Sequence, residues 1–175
     1  MAVVKRLEGR FGDAEGLYAR PLAIYRKALG AHHPAVAAVL DLLAQLYTVQ
    51  GWSKEAEQLY DEAQADLEAA LGPNCPGLAG IPNNKALLRE QLKRGDEAER
   101  LLTRAIALLR TGAKTDTPAV AIALHNLSVR YAATDRQGAA GALDAESEAI
   151  MRQVYGDRRP PRIKAPILPV WQRDV

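Results

Sequence analysis

Few side chains in this sequence could do chemistry, and their spacing says of what kind. Asn83 and Asn84 stand side by side, and Asn126 follows Asn84 by 42 positions. An asparagine amide offers donors and an acceptor together, so it can grip a polypeptide backbone without reading its side chains. The same amides could instead bond to neighbouring helices and only set their spacing, because buried polar groups require partners. His32 and His33 are adjacent and invite a metal, yet no third histidine or carboxylate cluster lies near them in sequence. Structural capping is the better account of that pair. His125 has no histidine or cysteine near it in sequence, which suits a groove-lining or internally satisfied polar role better than catalysis. Cys75 is the single cysteine, so neither an intramolecular disulfide nor a cysteine metal cluster can form, which favours a reducing, cytoplasmic setting. No motif places a base beside it, and a plain loop residue is expected rather than a nucleophile.

No phosphate-cradling glycine loop, nucleophile elbow or metal-ligand spacing is present. Glutamates such as Glu55, Glu57, Glu97 and Glu99 fall at helix starts, where the helix dipole favours them. The sequence therefore predicts no catalytic residue, no cofactor and no metal. Aromatic residues make up only 5% of the 175 positions, which favours close-packed helices over a β-sandwich. No run of 18 apolar residues occurs, so no membrane span is predicted, and the N-terminus lacks the apolar core of a secretory signal. The net charge of +2 is uneven. Arg158, Arg159, Arg162, Lys164 and Arg173 face only Asp174 in residues 158–175, which leaves 18 basic against 20 acidic side chains in residues 1–157. Nucleic acid is thus not an expected partner.

The elements that position these residues follow a 42-residue ladder. Pro34, Pro76, Pro118 and Pro160 keep that spacing, as do Ala14, Ala56, Ala98 and Ala140, and Leu17, Leu59, Leu101 and Leu143. Self-similarity at such a period marks stacked supersecondary repeats. Helical apolar stripes predict a helix over 12–29 with a kink at Pro21, then pairs at 35–50 and 53–71, 77–93 and 96–111, and 118–133 and 138–155. Pro34 opens its helix near the first position, and Ser53 is the expected N-cap of the next. Residues 4–9 read as the remnant of a truncated first repeat. The expected stripes are Ala14, Leu17, Tyr18, Pro21, Tyr25 and Ala28; Val36, Leu40, Leu43, Ala44 and Tyr47; Ala56, Leu59, Tyr60, Ala63, Leu67 and Ala70; Ala98, Leu101, Leu102, Ala105 and Leu109; Val120, Leu124, Leu127 and Tyr131; and Ala140, Leu143, Met151 and Val154.

The third pair is irregular. Gly77, Gly80 and Pro82 crowd its start, and Lys85 and Arg89 stand one period after Leu43 and Tyr47, which belong to a packing stripe. Unpaired buried cations are costly. Either that helix starts late and turns Leu88 and Leu92 inward, or the two cations reach a solvated edge, which is the preferred reading. Residues 1–156 are thus one helical repeat domain, and 157–175 a Pro/Arg-rich tail of extended or polyproline character.

Gly9-Arg10-Phe11-Gly12-Asp13-Ala14-Glu15, leading to Ala28-Leu29-Gly30-Ala31-His32-His33-Pro34, resembles the 42-residue tetratricopeptide repeat of the kinesin light chain type. Gly51-Trp52-Ser53-Lys54-Glu55-Ala56-Glu57 and Ala70-Leu71-Gly72-Pro73-Asn74-Cys75-Pro76 repeat that pattern, with Cys75 in the histidine place. The family's mid-helix mark is met by Asn83-Asn84-Lys85-Ala86-Leu87-Leu88-Arg89 and His125-Asn126-Leu127-Ser128-Val129-Arg130-Tyr131. In the last repeat Asp135 and Gly141 depart from it. The resemblance implies an all-α right-handed superhelix of stacked antiparallel helix pairs, non-enzymatic, whose first helices form a concave wall for an extended segment of a protein partner. On that register the wall residues are Asp41 and Gln45, then Asn83, Asn84 and Leu87, then His125, Asn126 and Val129. An alternative is a structural module that pairs with another copy through an apolar N-terminal flank, since terminal repeats need a polar cap.

Overall fold

Pro34 and Pro118 each take the first position of a helix, where an N–H would have no partner within the helix anyway. The structure, a computed structural model, describes residues 18, 20–112 and 116–156. Helical residues 20–29 are α1, followed by α2 (Pro34–Gln50), α3 (Ser53–Leu71), α4 (Gly80–Gln91), α5 (Gly95–Arg110), α6 (Pro118–Ala132) and α7 (Gln137–Tyr155). No strand occurs among the described residues. The fold is an all-α helical repeat, and it divides into two compact units, Met1–Gly72 and Pro73–Val175. The remnant at 4–9, the turn into α1, most of the residues before Pro21, where the kink is expected, and the tail at 157–175 lie outside the described residues.

In the first unit α3 folds back on α2 after a two-residue turn. His33 caps α2 as expected, its Nδ1 accepting from the Ala35 N–H at 3.1 Å. His32 Nδ1 lies 2.6 Å from Asp66 Oδ1 on α3. Ser53 is not a cap. It is the first residue of α3, and its hydroxyl donates to Gly51 O at 3.4 Å, while Trp52 holds the cap position without a side-chain bond. The Trp52 ring rests tilted on Tyr47 with centroids 5.0 Å apart. Ala56, Tyr60, Ala63 and Leu67 are buried, but Ala70 is exposed and Leu59 only half-buried, so the packing stripe is narrower than its periodicity. Tyr60 is wholly enclosed, with its hydroxyl 3.4 Å from Thr48 Oγ1, and the Thr48 hydroxyl donates to Ala44 O at 2.8 Å.

In the second unit a single 3₁₀ turn at Pro76–Leu78 delays α4 until Gly80, three residues later than the pattern predicts. Lys85 and Arg89 are buried, which corrects the expectation of a solvated edge. A counter-ion makes this tolerable for Arg89, whose Nε lies 3.0 Å from Glu97 Oε2 across the turn. Leu88 is fully buried, whereas Leu92 ends outside α4 and is 38% exposed. Here α5 packs on both α4 and α6, and α6 on α7. Ala98, Leu102 and Ile106 form one core with Val120, Leu124, Leu127, Ile150 and Met151, and Leu101, Leu109, Tyr131 and Leu143 pack around it. Thr117 caps α6, its Oγ1 accepting from Val120 N–H. Val154, expected on the α7 stripe, is exposed.

The 42-residue repeat survives as backbone geometry. Gly51, Lys93 and Asp135, one period apart, all adopt the left-handed conformation between the helices of a pair, with φ of 80°, 60° and 59°. That conformation crowds the Cβ of an L-residue, costing about 1 kcal/mol for lysine and less for aspartate. The surface charges repeat as well. Arg26 pairs with Glu62, and two periods later Arg110 pairs with Glu146.

Two outcomes follow from these cores and turns. Lys93→Gly raises stability by about 1 kcal/mol and Asp135→Gly by less, read as a higher melting temperature. Loss of stability in either would show that the side chain matters more than the backbone strain. Burial pushes the Tyr60 phenol far above its ordinary value, although the bond to Thr48 opposes this. The unfolded chain then sheds that proton first, so the contribution is intact below about pH 10 and falls as pH rises beyond it. Tyr60→Phe is expected to flatten the decline in melting temperature between pH 9 and pH 11.5 (both limits approximate, set by the free phenol value). An unchanged slope would mean that Tyr60 titrates freely.

Candidate binding wall on α4 and α6

The amides predicted to face a partner are enclosed. Asn83, Asn84 and Asn126 are 1%, 4% and 1% exposed, which places their polar atoms in the protein interior. Asn126 Nδ2 donates across to Asn83 Oδ1 at 2.9 Å, and Asn83 Nδ2 donates to Asn84 Oδ1 at 3.3 Å. The bond between Asn83 and Asn126 ties α4 to α6, the first helices of consecutive pairs. Of the two roles open to these residues, the spacing of helices is the one this geometry performs. Asn126 Oδ1 is buried with no hydrogen-bond partner.

Leu87 and Val129 are one period apart on the same two helices, and both are half-buried. They form the part of the predicted wall that a ligand could reach in this unit. His125 joins them: its side chain is 24% exposed, and its Nδ1 lies 2.9 Å from Asp144 Oδ1 on α7. The tautomer that donates Nδ1–H to that carboxylate leaves Nε2 as an acceptor. On α2, in the first unit, Gln45 is buried and its Nε2 donates to Asp41 Oδ2 at 2.9 Å; Asp41 is half-buried. That bond holds the pair at the register positions of Leu87 and Asn83.

Sequence reasoning missed the clamp that joins the two helix pairs of the second unit. Arg136, in the α6–α7 turn, donates two bonds to Glu99 on α5, at 3.0 and 2.5 Å. Its guanidinium lies over the Tyr131 ring, 3.8 Å from the centroid. The Arg136 hydrogen bond holds the Glu99 carboxyl below the usual carboxylate range and raises Arg136 in turn. A signal existed: Trp52 and Arg136 are two periods apart, as are Tyr47 and Tyr131, so a flat group lies on a tyrosine at both turns. Among the described residues no group of three histidine, cysteine or acidic side chains could hold a metal ion, and no helix is long and apolar enough to cross a membrane.

The family profile described as tetratricopeptide repeat matches residues 1–69. No curated protein sequence matches the chain. Among solved structures, BtubC (BKLC) from P. vanneervenii superimposes with a TM-score of 0.72 at 23% identity, covering 91% of this chain and 64% of that one. The nearly identical kinesin light chain TPR-like repeats of Podosopora anserina give 0.62 at 23% identity, covering 85% of this chain and 71% of theirs. A point variant of those repeats gives 0.64 at 24% identity, over 84% and 69%. This chain therefore spans somewhat less than two thirds of the BtubC chain, and identities this low establish a shared fold.

If the asparagine bond braces α4 against α6, Asn126→Ala leaves Asn83 Oδ1 buried without a donor and costs about 1–3 kcal/mol. Urea denaturation reads that loss directly. A midpoint within error of the parent chain would sink the bracing role.

Proposed function

Because the chain folds as tetratricopeptide repeats of the kinesin light chain-like type, we propose that it is a non-enzymatic interaction scaffold. Repeats of this kind are generally protein-interaction modules. In this reading an extended segment of a protein partner lies along α4 and α6. The observation that supports it is the matched pair Leu87 and Val129, apolar, half-buried and in equivalent places on adjacent first helices. His125 Nε2 supplies an acceptor for a peptide N–H beside them, and Asp41 and Gln45 hold the corresponding places on α2. Asn83, Asn84 and Asn126 serve the partner by fixing the helices, and a direct contact by their amides needs the enclosing side chains to move. A cytoplasmic setting, suggested by the lone cysteine, belongs to the same reading.

A specific observation favours a second role in assembly. Ile24, Tyr25 and Leu29 on α1 are 61%, 39% and 46% exposed. Ile24 shares its register position with Asp66, Leu108 and Ile150, which are 5%, 6% and 5% exposed. Apolar side chains left open at core positions are suited to pairing with another copy.

Replacing Leu87 and Val129 together by aspartate is expected to weaken capture of a cross-linked partner by about tenfold or more, the loss of two apolar contacts, with helicity unchanged by circular dichroism. Equal capture by both chains counts against the wall. Size-exclusion chromatography with light scattering tests the assembly role, for which a monomer at every concentration is the contrary result.

A further inference from the structure

The helices α1, α3, α5 and α7 hold the second place in a helix pair, and α1 alone has no first helix beside it among the described residues. Its apolar side chains show the difference. Ile24 and Tyr25 are exposed, whereas Leu67 and Met151, at the register place of Tyr25, are buried, as is every equivalent of Ile24. Arg20 and Lys27 stand four residues before and three after Ile24, so the three share one side of the helix, with Ile24 between two cations. Both cations are exposed, and neither makes an ion pair among the described residues. The described part of α1 carries no carboxylate.

The charge that belongs opposite Arg20 can be read from the later second helices. Arg26 on α1 pairs with Glu62 on α3, and Arg110 on α5 with Glu146 on α7, each across 36 positions. Arg20 is one period before Glu62, so it holds the place that receives an arginine in those two pairs. Glu68 and Arg104, the residues at the same two places in between, have the signs exchanged. Where the receiving place holds an arginine, the chain's own pattern therefore sets a carboxylate at the facing place.

We propose that the open side of α1 docks an amphipathic helix of a protein partner, with apolar residues on Ile24 and Tyr25 and carboxylates beside Arg20 and Lys27. A helix is what the other pairs place there, and a helix laid on an apolar strip anchors through residues three and four apart. Opposite charges at the flank choose the partner more than they tighten it. Another copy of this chain fits less well. Two antiparallel α1 helices related by a two-fold axis would set the edge of Arg20 and Lys27 against itself. Stacking end to end would bring Arg152, at the Arg26 place on α7, toward Arg20. The chain's own residues 4–9 carry Lys5 and Arg6 against Glu8, the same sign as α1. The inference rests on the reading of the chain as an interaction scaffold, but it uses a face remote in sequence from Leu87 and Val129.

The test is the fluorescence anisotropy of a dye-labelled three-heptad peptide titrated with the full chain. The peptide has leucine at its seam positions and glutamate on both flanks, where like charge keeps it from pairing with itself. A second peptide carries lysine on the flanks instead. Saturable binding of the glutamate peptide is expected, about tenfold or more tighter than that of the lysine peptide. Arg20→Glu combined with Lys27→Glu should reverse that preference, which a merely structural role of either residue would not do. Ile24→Asp should abolish binding, with helicity unchanged by circular dichroism. Absence of saturable binding, or a preference that survives the charge reversal, overturns the proposal. Retention of binding by the Leu87→Asp, Val129→Asp chain supports α1 and leaves the wall to its own test, whereas loss there moves the peptide to the wall and overturns the α1 site. A dimer seen by light scattering and broken by Ile24→Asp gives the face to a second copy. Capture by phosphatidylcholine–phosphatidylserine vesicles that Ile24→Asp removes gives it to a membrane surface, and either result overturns the partner helix.

Discussion

One left-handed residue between the helices of a pair decides where the second helix runs. At Gly51 the conformation is free, and at Lys93 and Asp135 the chain adopts it despite a side chain. The reversal it produces lets Tyr60 meet α2, and Leu102 and Met151 meet the shared core of the second unit. Neither helix of a pair can hide its stripe from water alone, so the hairpin is the smallest stable piece. Everything else in the described structure is an elaboration of that reversal, including the caps that start the helices and the charges that dress their outer faces.

Polar groups then do two distinct jobs in the second unit. Inside, Asn83 and Asn126 exchange a hydrogen bond, so the spacing of α4 and α6 is set by amide geometry instead of side-chain volume alone. At the rim, guanidinium groups join turn to helix: Arg136 to Glu99 and Arg94 to Glu97. Such pairs contribute little individually when exposed to water. Their value is directional, because a forked donor fixes orientation as well as distance.

The repeat, the helix pairs and the role of His33 were all legible in the chain, because periodicity and capping are local properties. The packing stripes were legible only in outline: Ala70 and Val154 keep the period but stand in solvent, since burial depends on what lies opposite. Lys85 and Arg89 defeated sequence reasoning for a similar reason. A charge on an apolar stripe reads as a conflict until its counter-ion is known, and Glu97 lies beyond the turn on the next helix. Leu87 and Val129, expected on the wall, are half-buried, and the motif could not say that its asparagines bond to one another.

Trp52 offers the first unit something that a purely aliphatic turn would lack. Its indole is 46% exposed and tilted against Tyr47, at the junction where α2 gives way to α3. Light absorbed by the phenol passes readily to an indole 5.0 Å away. With the chain's other tryptophan, Trp171, replaced by phenylalanine, the fluorescence colour of this ring is a built-in gauge of whether the hairpin is shut, and it needs no attached dye.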